Sequence, residues 1–118
     1  MSEILTVEER DGISVITLLE KKLYQKAVSV FQERMQSLLE KETVERLVID
    51  LSHVEIMNSS GLGVLIMTRD ALNRTGGEMV VAGLRPFMLE LFQRMRLDLL
   101  FTVVETMEEG MATLKKRA

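Results

Sequence analysis

Hydrophobic and polar positions alternate over the first twenty residues, which is the pattern of two β-strands. The alternation runs over residues 3–10 and again over residues 13–19, with the period of two that suits half-buried strands. Asp11-Gly12 separates the two runs, and Asp-Gly is a strong signal for a tight hairpin turn. We therefore predict an antiparallel hairpin whose first strand turns Ile4 and Val7 inward.

Beyond the hairpin, the hydrophobic pattern changes repeatedly between that of a buried strand and that of a helix with one apolar face. The predicted elements are a helix over residues 24–41, a strand over 44–51, a helix over 60–74, a strand over 78–83, a helix starting at 86, a strand over 100–104 and a helix over 107–116. The order is therefore β-β-α-β-α-β-α-β-α. This alternation predicts an α/β fold with a mostly parallel sheet, in one domain spanning residues 1–118.

Glycine and proline mark the limits of two of these helices. Gly76-Gly77 follows the helix over residues 60–74, where glycine supplies the left-handed conformation that ends a helix. Pro86 suits the first position of the next helix, because an N–H group there has no helical partner to lose. We expect the buried stripe of that helix to consist of Met88, Leu91, Phe92 and Met95.

Composition narrows the function classes. The chain has 47% hydrophobic residues and a net charge of −3 without a basic stripe, so a core is expected and a nucleic-acid partner is not. It has no cysteine and one histidine, His53, which excludes a disulfide framework and a two-histidine zinc site. We expect no cofactor and no metal. There is no signal-peptide pattern or membrane-length apolar run, so we expect no membrane insertion and a cytoplasmic location.

The segment from Asp50 to Leu65 carries the most specific pattern in the chain. A polar loop follows a buried strand and ends in Ser59 and Ser60, where an amphipathic helix begins. A serine there lies at the positive end of the helix dipole, among backbone N–H groups without helical partners. This is a favourable place for a phosphate. We expect Asp50 and Ser52 to order the loop by hydrogen bonding.

This segment resembles the signature of bacterial anti-sigma factor antagonists, which form a family of STAS domains. The resemblance rests on Asp50-Leu51-Ser52 and on the run from Asn58 to Leu65, which reads Asn-Ser-Ser-Gly-Leu-Gly-Val-Leu. The run from Gly76 to Val81 and the later Leu91-Phe92 also resemble the family, as does the order of elements. The similarity covers nearly the whole chain and is densest from Val44 to Leu84.

The resemblance implies a partner-switching regulator rather than an enzyme. In the family, the unphosphorylated protein binds an anti-sigma factor that is also a serine kinase. Phosphorylation of one serine releases this partner, and a phosphatase resets the switch. Carried over by position, the phosphoacceptor is Ser59. The residues expected at the partner surface are Asn58, Ser60, Gly61, Gly63 and His53. The two glycines have a second interpretation, which is close packing of the helix against the sheet.

The chain differs from the family pattern in two places. The family usually has an aspartate before the acceptor serine, whereas this chain has Asn58, which is neutral and suits a helix N-cap. The loop over residues 18–24 also lacks the glycine and the acidic residue that the family shows there. Lys21 and Lys22 in this loop are either neighbours of Ser59 that attract a phosphate or solvated loop residues.

Two other function classes stay open beside the switch. The first is an unphosphorylated STAS adaptor, serving as a subunit of a lipid transporter or of a signalling scaffold. The second is a small enzyme, since open α/β sheets bind ligands at the carboxyl ends of their strands. A serine hydrolase is disfavoured because the residue two before Ser59 is not glycine and His53 has no second histidine beside it. Asp50 is likewise not predicted to be the acceptor of a receiver-like domain.

Overall fold

The computed structural model describes residues 3–41 and 44–117. Residues 1, 2, 42, 43 and 118 lie outside the described part, including both ends of the predicted domain. In chain order, the elements are β1 (Leu5–Arg10), β2 (Ile13–Leu18), β3 (Lys22–Leu23), α1 (Gln25–Lys41), β4 (Arg46–Asp50), β5 (Ile56–Met57), α2 (Ser59–Arg74), β6 (Glu78–Ala82), α3 (Pro86–Arg94), a 3₁₀-helix (Leu97–Leu99), β7 (Thr102–Val104) and α4 (Met107–Lys116).

Five of the strands form one sheet in the order β1-β2-β4-β6-β7. β1 and β2 are antiparallel, while β2, β4, β6 and β7 run parallel to one another. The hairpin turn has φ of 55° at Asp11 and 78° at Gly12, two positive values that a type I′ turn requires and that aspartate and glycine tolerate. The structure therefore confirms the predicted α/β fold with a hairpin leading into a parallel sheet.

Helices cover both faces of the sheet, and the alternation of side chains along β4 divides the core into two. Leu47 and Ile49 belong to the larger cluster, with side chains from α1, α2 and α3. Val48, between them, points to the other face and packs with Met111 and Leu114 of α4. In the described residues, no helix is both long enough and apolar enough to cross a membrane.

Three details of the predicted elements were wrong. Leu5 is the buried residue of β1, whereas Ile4 lies before the strand and is half-buried and Val7 is exposed, because this edge strand lies under other elements only at its start. Met95 is 52% exposed, because α3 ends at Arg94 and the chain turns away at Arg96, which has a positive φ of 59°. The strands β3 and β5 were not predicted, since two residues are too few to show a period.

Candidate functional site

The loop that follows β4 is anchored by two buried residues and exposes the two between them. Leu51 donates its N–H to the Ala82 carbonyl at 2.9 Å, and Val54 donates to the Leu51 carbonyl at 3.0 Å. Both Leu51 and Val54 are fully buried. Ser52 and His53 form the tip of this turn and are exposed. The loop therefore exposes two polar side chains while buried Leu51 and Val54 hold its backbone in place.

The carboxylate of Asp50 closes a smaller turn within this loop. Its Oδ1 accepts a hydrogen bond from the backbone N–H of Ser52 at 2.9 Å, which is the pattern of an Asx turn. Gly83 lies against the same turn with a positive φ of 75°, and a Cβ there would lie 3.0 Å from Asp50 Oδ1. The end of β6 therefore supports the loop that follows β4.

A short parallel pair of strands brings a distant segment to the site. β3 pairs with β5, so that Lys22 lies opposite Ile56 and Leu23 lies opposite Met57. The Leu23 carbonyl also accepts a hydrogen bond from the N–H of Asn58 at 3.3 Å. The chain around Lys22 therefore runs beside the residues that lead into α2.

Lys21 and Lys22 are both exposed. The Lys21 carbonyl accepts hydrogen bonds from the N–H groups of Glu55 at 2.8 Å and Ile56 at 3.2 Å. The backbone pairing brings Lys21 and Lys22 to the same end of the sheet as the start of α2, and their exposure equally suits solvated loop residues, so both interpretations stay predictions. Their side chains carry positive charge on the solvent side of this segment.

Asn58 caps α2 and leaves Ser59 as its first residue. The Asn58 side-chain oxygen accepts a hydrogen bond from the N–H of Gly61 at 3.0 Å, and its carbonyl accepts from Leu62 at 3.2 Å. Ser59 and Ser60 are both exposed. Among the described residues, neither of their backbone N–H groups has an acceptor. Two free donors thus lie beside an exposed hydroxyl at the positive end of a 16-residue helix.

The two glycines at the start of α2 have different surroundings in the structure. Gly61 is buried, and a Cβ there would lie 3.3 Å from the Cβ of Met57 and 3.5 Å from Leu23. Gly63 is exposed, and a Cβ there would have no neighbour within 4 Å. Gly61 therefore lets α2 pack against the β3–β5 pair and is not open to a partner, whereas Gly63 is open to close approach from outside.

The sequence analysis did not identify the residues that pack against the loop after β4 and the start of α2. Leu23, Met57 and Gly83 were not singled out, although all three contact the loop or the start of α2. Met57 gave only a weak signal, because it is one of three apolar residues between Ser52 and Ser59, with Val54 and Ile56. An exposed hydroxyl at a helix start lies where the helix dipole favours negative charge, so a phosphoryl group could be accommodated there.

Comparison with known families assigns this fold. The model of the STAS domain matches residues 5–110, and the chain belongs to the STAS domain family. The anti-sigma F factor antagonist of Paenibacillus polymyxa is 27% identical over 82 residues, which cover 70% of this chain and 69% of the relative. The resemblance to anti-sigma factor antagonists noted in the sequence is thereby confirmed.

Solved structures support the same fold. An anti-sigma factor antagonist from Mycobacterium paratuberculosis superposes with a TM-score of 0.84 at 24% identity, covering 94% of this chain and 92% of the other. The Bacillus cell fate determinant SpoIIAA in its phosphorylated form gives a TM-score of 0.73 at 21% identity, covering 93% and 98% of the two chains. At these identities, the similarity establishes the fold.

Proposed function

We propose that this protein is a non-enzymatic partner-switching regulator that binds an anti-sigma factor of the serine-kinase class while Ser59 is unmodified. Phosphorylation of Ser59 releases the partner, and a phosphatase restores binding. The observation that carries the proposal is the exposure of Ser59 at the first position of α2, where its own N–H and that of Ser60 have no acceptor in the part of the chain that the structure describes. Family membership and the relative named as an anti-sigma F factor antagonist support the class of partner.

The start of α2 can accept a phosphoryl group without loss of the fold. A phosphoserine adds about −1.5 to −2 charges and three acceptor oxygens. The helix dipole favours an anion in the first turn by roughly 0.3–1 kcal/mol, and the N–H groups of Ser59 and Ser60 have no acceptor within residues 3–41 and 44–117. Asn58 adds no negative charge beside the new dianion. The modified protein is therefore expected to stay folded.

The same dianion changes the binding surface. A partner that covers unmodified Ser59 would have to remove water from two added charges, and burying an unpaired charge is costly. Gly63 has open space around its Cα, so a partner backbone can approach the first turn of α2 closely. The surface expected to touch the partner therefore comprises Ser59, Ser60, Gly63 and Asn58, with His53 at the nearby turn.

The phosphorylation step is tested by incubating the protein with ATP and a serine-kinase anti-sigma factor from the same genome. Intact-mass spectrometry of the wild type should show one added phosphoryl group, and peptide mapping should place it on Ser59. Ser60 offers a matched control, because it is exposed and next along the helix. Ser60→Ala should still be labelled and Ser59→Ala should not. Labelling on Ser60 alone would overturn the assignment.

The release step is tested by measuring affinity for the same partner. The Ser59→Glu variant and the phosphorylated wild type should both bind at least about tenfold more weakly than the unmodified protein. Circular dichroism and thermal unfolding check that the variants remain folded. Equal affinity of modified and unmodified protein would contradict the switch, even if Ser59 is a kinase substrate.

A second candidate function is an unphosphorylated STAS adaptor within a transporter or signalling assembly. The observation that favours it is Asn58, which replaces the family's usual aspartate and serves as the helix cap. Affinity capture from the native host separates the two candidates. A serine-kinase anti-sigma factor in the captured complex supports the switch, whereas a permease or transporter ATPase subunit supports the adaptor.

A further inference from the structure

The first turns of α1 and α2 begin side by side. β3 and β5 are parallel neighbours in which Leu23 lies opposite Met57, and each of these strands is followed by a helix that begins two residues later. The pairing continues for one more residue, because the Asn58 N–H donates to the Leu23 carbonyl at 3.3 Å. Counted in the same register, Gln25 at the start of α1 corresponds to Ser59 at the start of α2.

The two helix starts are also close in space. α1 and α2 pack against each other, and Val28 of α1 and Leu62 of α2 belong to the same core cluster. The first helical residues are therefore separated by a distance between about 5 Å, the spacing of paired strands, and about 10 Å, the spacing of packed helix axes. A phosphoserine on one helix and a long side chain on the other can bridge a gap of that size.

The backbone at Gln25 has an unusual conformation for a residue with a side chain. Its φ is +46°, in a region that residues other than glycine, asparagine and aspartate seldom adopt. A residue of this kind beside a helical one turns successive N–H groups toward one side, which forms a concavity for an anion. Within residues 3–41 and 44–117, the N–H groups of Gln25 and Lys26 have no acceptor. Two more donors thus lie near those of Ser59 and Ser60.

The charges at these two helix starts favour an anion. Neither α1 nor α2 has an acidic residue in its first turn, so no carboxylate there compensates the positive ends of the helix dipoles. Lys26 is exposed in the first turn of α1, and it forms no ion pair within the described part of the chain. The nearby acidic residues Glu20 and Glu55 lie before β3 and β5, whereas Lys26 follows β3.

We propose that the start of α1 holds the phosphate of phosphorylated Ser59, with the Lys26 ammonium as its counter-ion. This inference rests on the proposed function, because it takes the phosphorylation of Ser59 as given. The N–H groups of Gln25 and Lys26 donate to phosphate oxygens, and such bonds to a charged acceptor are strong. The phosphate then joins the first turns of two helices. Contacts within the chain therefore hold the released form of the switch, with Lys26 as a positioning residue.

Phosphorus NMR of the full chain, with genetically encoded phosphoserine at position 59, tests this contact without a kinase. The second pKa of phosphoserine is ordinarily about 6, and a nearby ammonium lowers it by favouring the dianion. In the otherwise wild-type chain we expect a phosphate pKa at least about 0.5 below that value. Lys26→Ala should raise this pKa by half of the difference or more. The matched control is Lys116→Ala, an exposed lysine in the last turn of α4, which should leave the phosphate pKa unchanged.

Amide NMR signals of the same phosphoprotein test the backbone contacts. The N–H signals of Gln25 and Lys26 should move downfield as the phosphate becomes a dianion, with the same midpoint as the phosphorus signal. Gln25→Gly keeps the N–H group and tolerates the positive φ, so it should leave the phosphate pKa unchanged. His53 titrates in the same pH range, so the titrations are repeated in a His53→Gln background, where the effect of Lys26→Ala should persist.

The outcomes that overturn this contact are distinct from those that overturn the switch. A phosphate pKa that is the same in Lys26→Ala, or amide signals of Gln25 and Lys26 that do not respond, shows that α1 does not hold the phosphate. A larger rise in Lys22→Ala than in Lys26→Ala also overturns the proposal, because the phosphate would then lie over the β3–β5 pair. Failure of a serine kinase to modify Ser59 overturns the switch alone, since phosphoserine enters these proteins during their synthesis.

Discussion

The side-chain oxygen of Asn58 accepts a hydrogen bond from the backbone N–H of Gly61 at 3.0 Å. This bond fixes where α2 begins, and so it places Ser59 at the first helical position with its side chain in solvent. The residue that differs from the usual family pattern is thus the one that builds the helix start. Asn58 carries no negative charge that would repel a phosphate on Ser59. It also caps the helix whose dipole favours an anion there.

Replacement of Asn58 should separate the capping role from the charge. Asn58→Ala removes the acceptor for the Gly61 N–H and should lower the free energy of unfolding by about 1 kcal/mol. Asn58→Asp keeps an acceptor in place and should be close to the wild type in stability. Urea unfolding followed by circular dichroism measures both values. The control is Asn73→Ala, an exposed asparagine near the other end of α2, for which we expect little change. Equal effects at positions 58 and 73 would contradict the cap.

Alanine at the two glycines of α2 should have opposite effects on stability. At Gly61, the new Cβ would lie 3.3 Å from the Met57 Cβ, and the backbone of Met57 is held by its pairing with Leu23. We expect Gly61→Ala to lose about 1 kcal/mol, because overpacking outweighs the better helix propensity. At Gly63, where nothing lies within 4 Å, alanine should gain roughly 0.5–1 kcal/mol.

The Gly63 variant also tests the partner surface. If a partner backbone approaches this position, Gly63→Ala should bind more weakly although its fold is more stable. Thermal unfolding and affinity for the serine-kinase anti-sigma factor are measured on the same preparation. A more stable variant with unchanged affinity would remove Gly63 from the proposed surface.

Gly83 should be intolerant of any side chain. Its φ is +75°, and a Cβ would lie 3.0 Å from both Asp50 Oδ1 and the Cβ of Ser52. We expect Gly83→Ala to lose about 1–3 kcal/mol through backbone strain and displacement of the turn. The amide NMR signals of Ser52 and His53 should shift in the variant. Signals that stay in place would show that β6 does not support this loop.

The ion pair between Asp11 and Lys115 should make a pH-dependent contribution to stability. The hydrogen bond from Lys115 Nζ, 2.8 Å from Asp11 Oδ2, and the ammonium charge lower the pKa of Asp11 below its ordinary value of 3.8. A lowered pKa in the folded protein stabilises it above pH 3.8, and this contribution is lost as the pH falls through the lowered value.

Lys115→Met should therefore lower the Tm slightly at neutral pH and not at all at low pH, where Asp11 is protonated in both proteins. The effect is small because both side chains are at least half exposed, and salt should reduce it further. Thermal unfolding of the wild type and of Lys115→Met, from neutral pH to well below pH 3.8, measures the difference in Tm. A Tm difference that persists when Asp11 is protonated would assign the effect to packing of the lysine stem.

The long elements could be predicted because their signals are local. The stripe of α1 that includes Phe31 and Met35 repeats over several turns, and these residues are fully buried. Pro86 begins α3, and Gly76 follows α2 with a φ of +81°, as predicted. Each of these outcomes depends on residues within a few positions of one another, so one sequence contains the necessary information.

The burial of side chains on an edge strand or just beyond a helix end could not be predicted in the same way. Leu5 and Val7 lie on the same face of β1, yet only Leu5 is covered. Met95 continues the four-residue spacing of Phe87 and Leu91 but is exposed because α3 ends before it. Which neighbour covers a side chain depends on elements distant in the chain, and hydrophobic periodicity does not report where those elements end.

The sequence by itself determined the alternation of strands and helices, the hairpin turn at Asp11-Gly12 and a serine at the start of α2. Short-range sterics, capping and apolar spacing are sufficient for these features. Only the tertiary structure decided that the chain at Lys22 lies beside Ile56 and that Gly61 is buried while Gly63 is open. The physical reason is that β3 and β5 each have two residues, too few to form alone, and exist only because the rest of the fold brings them together.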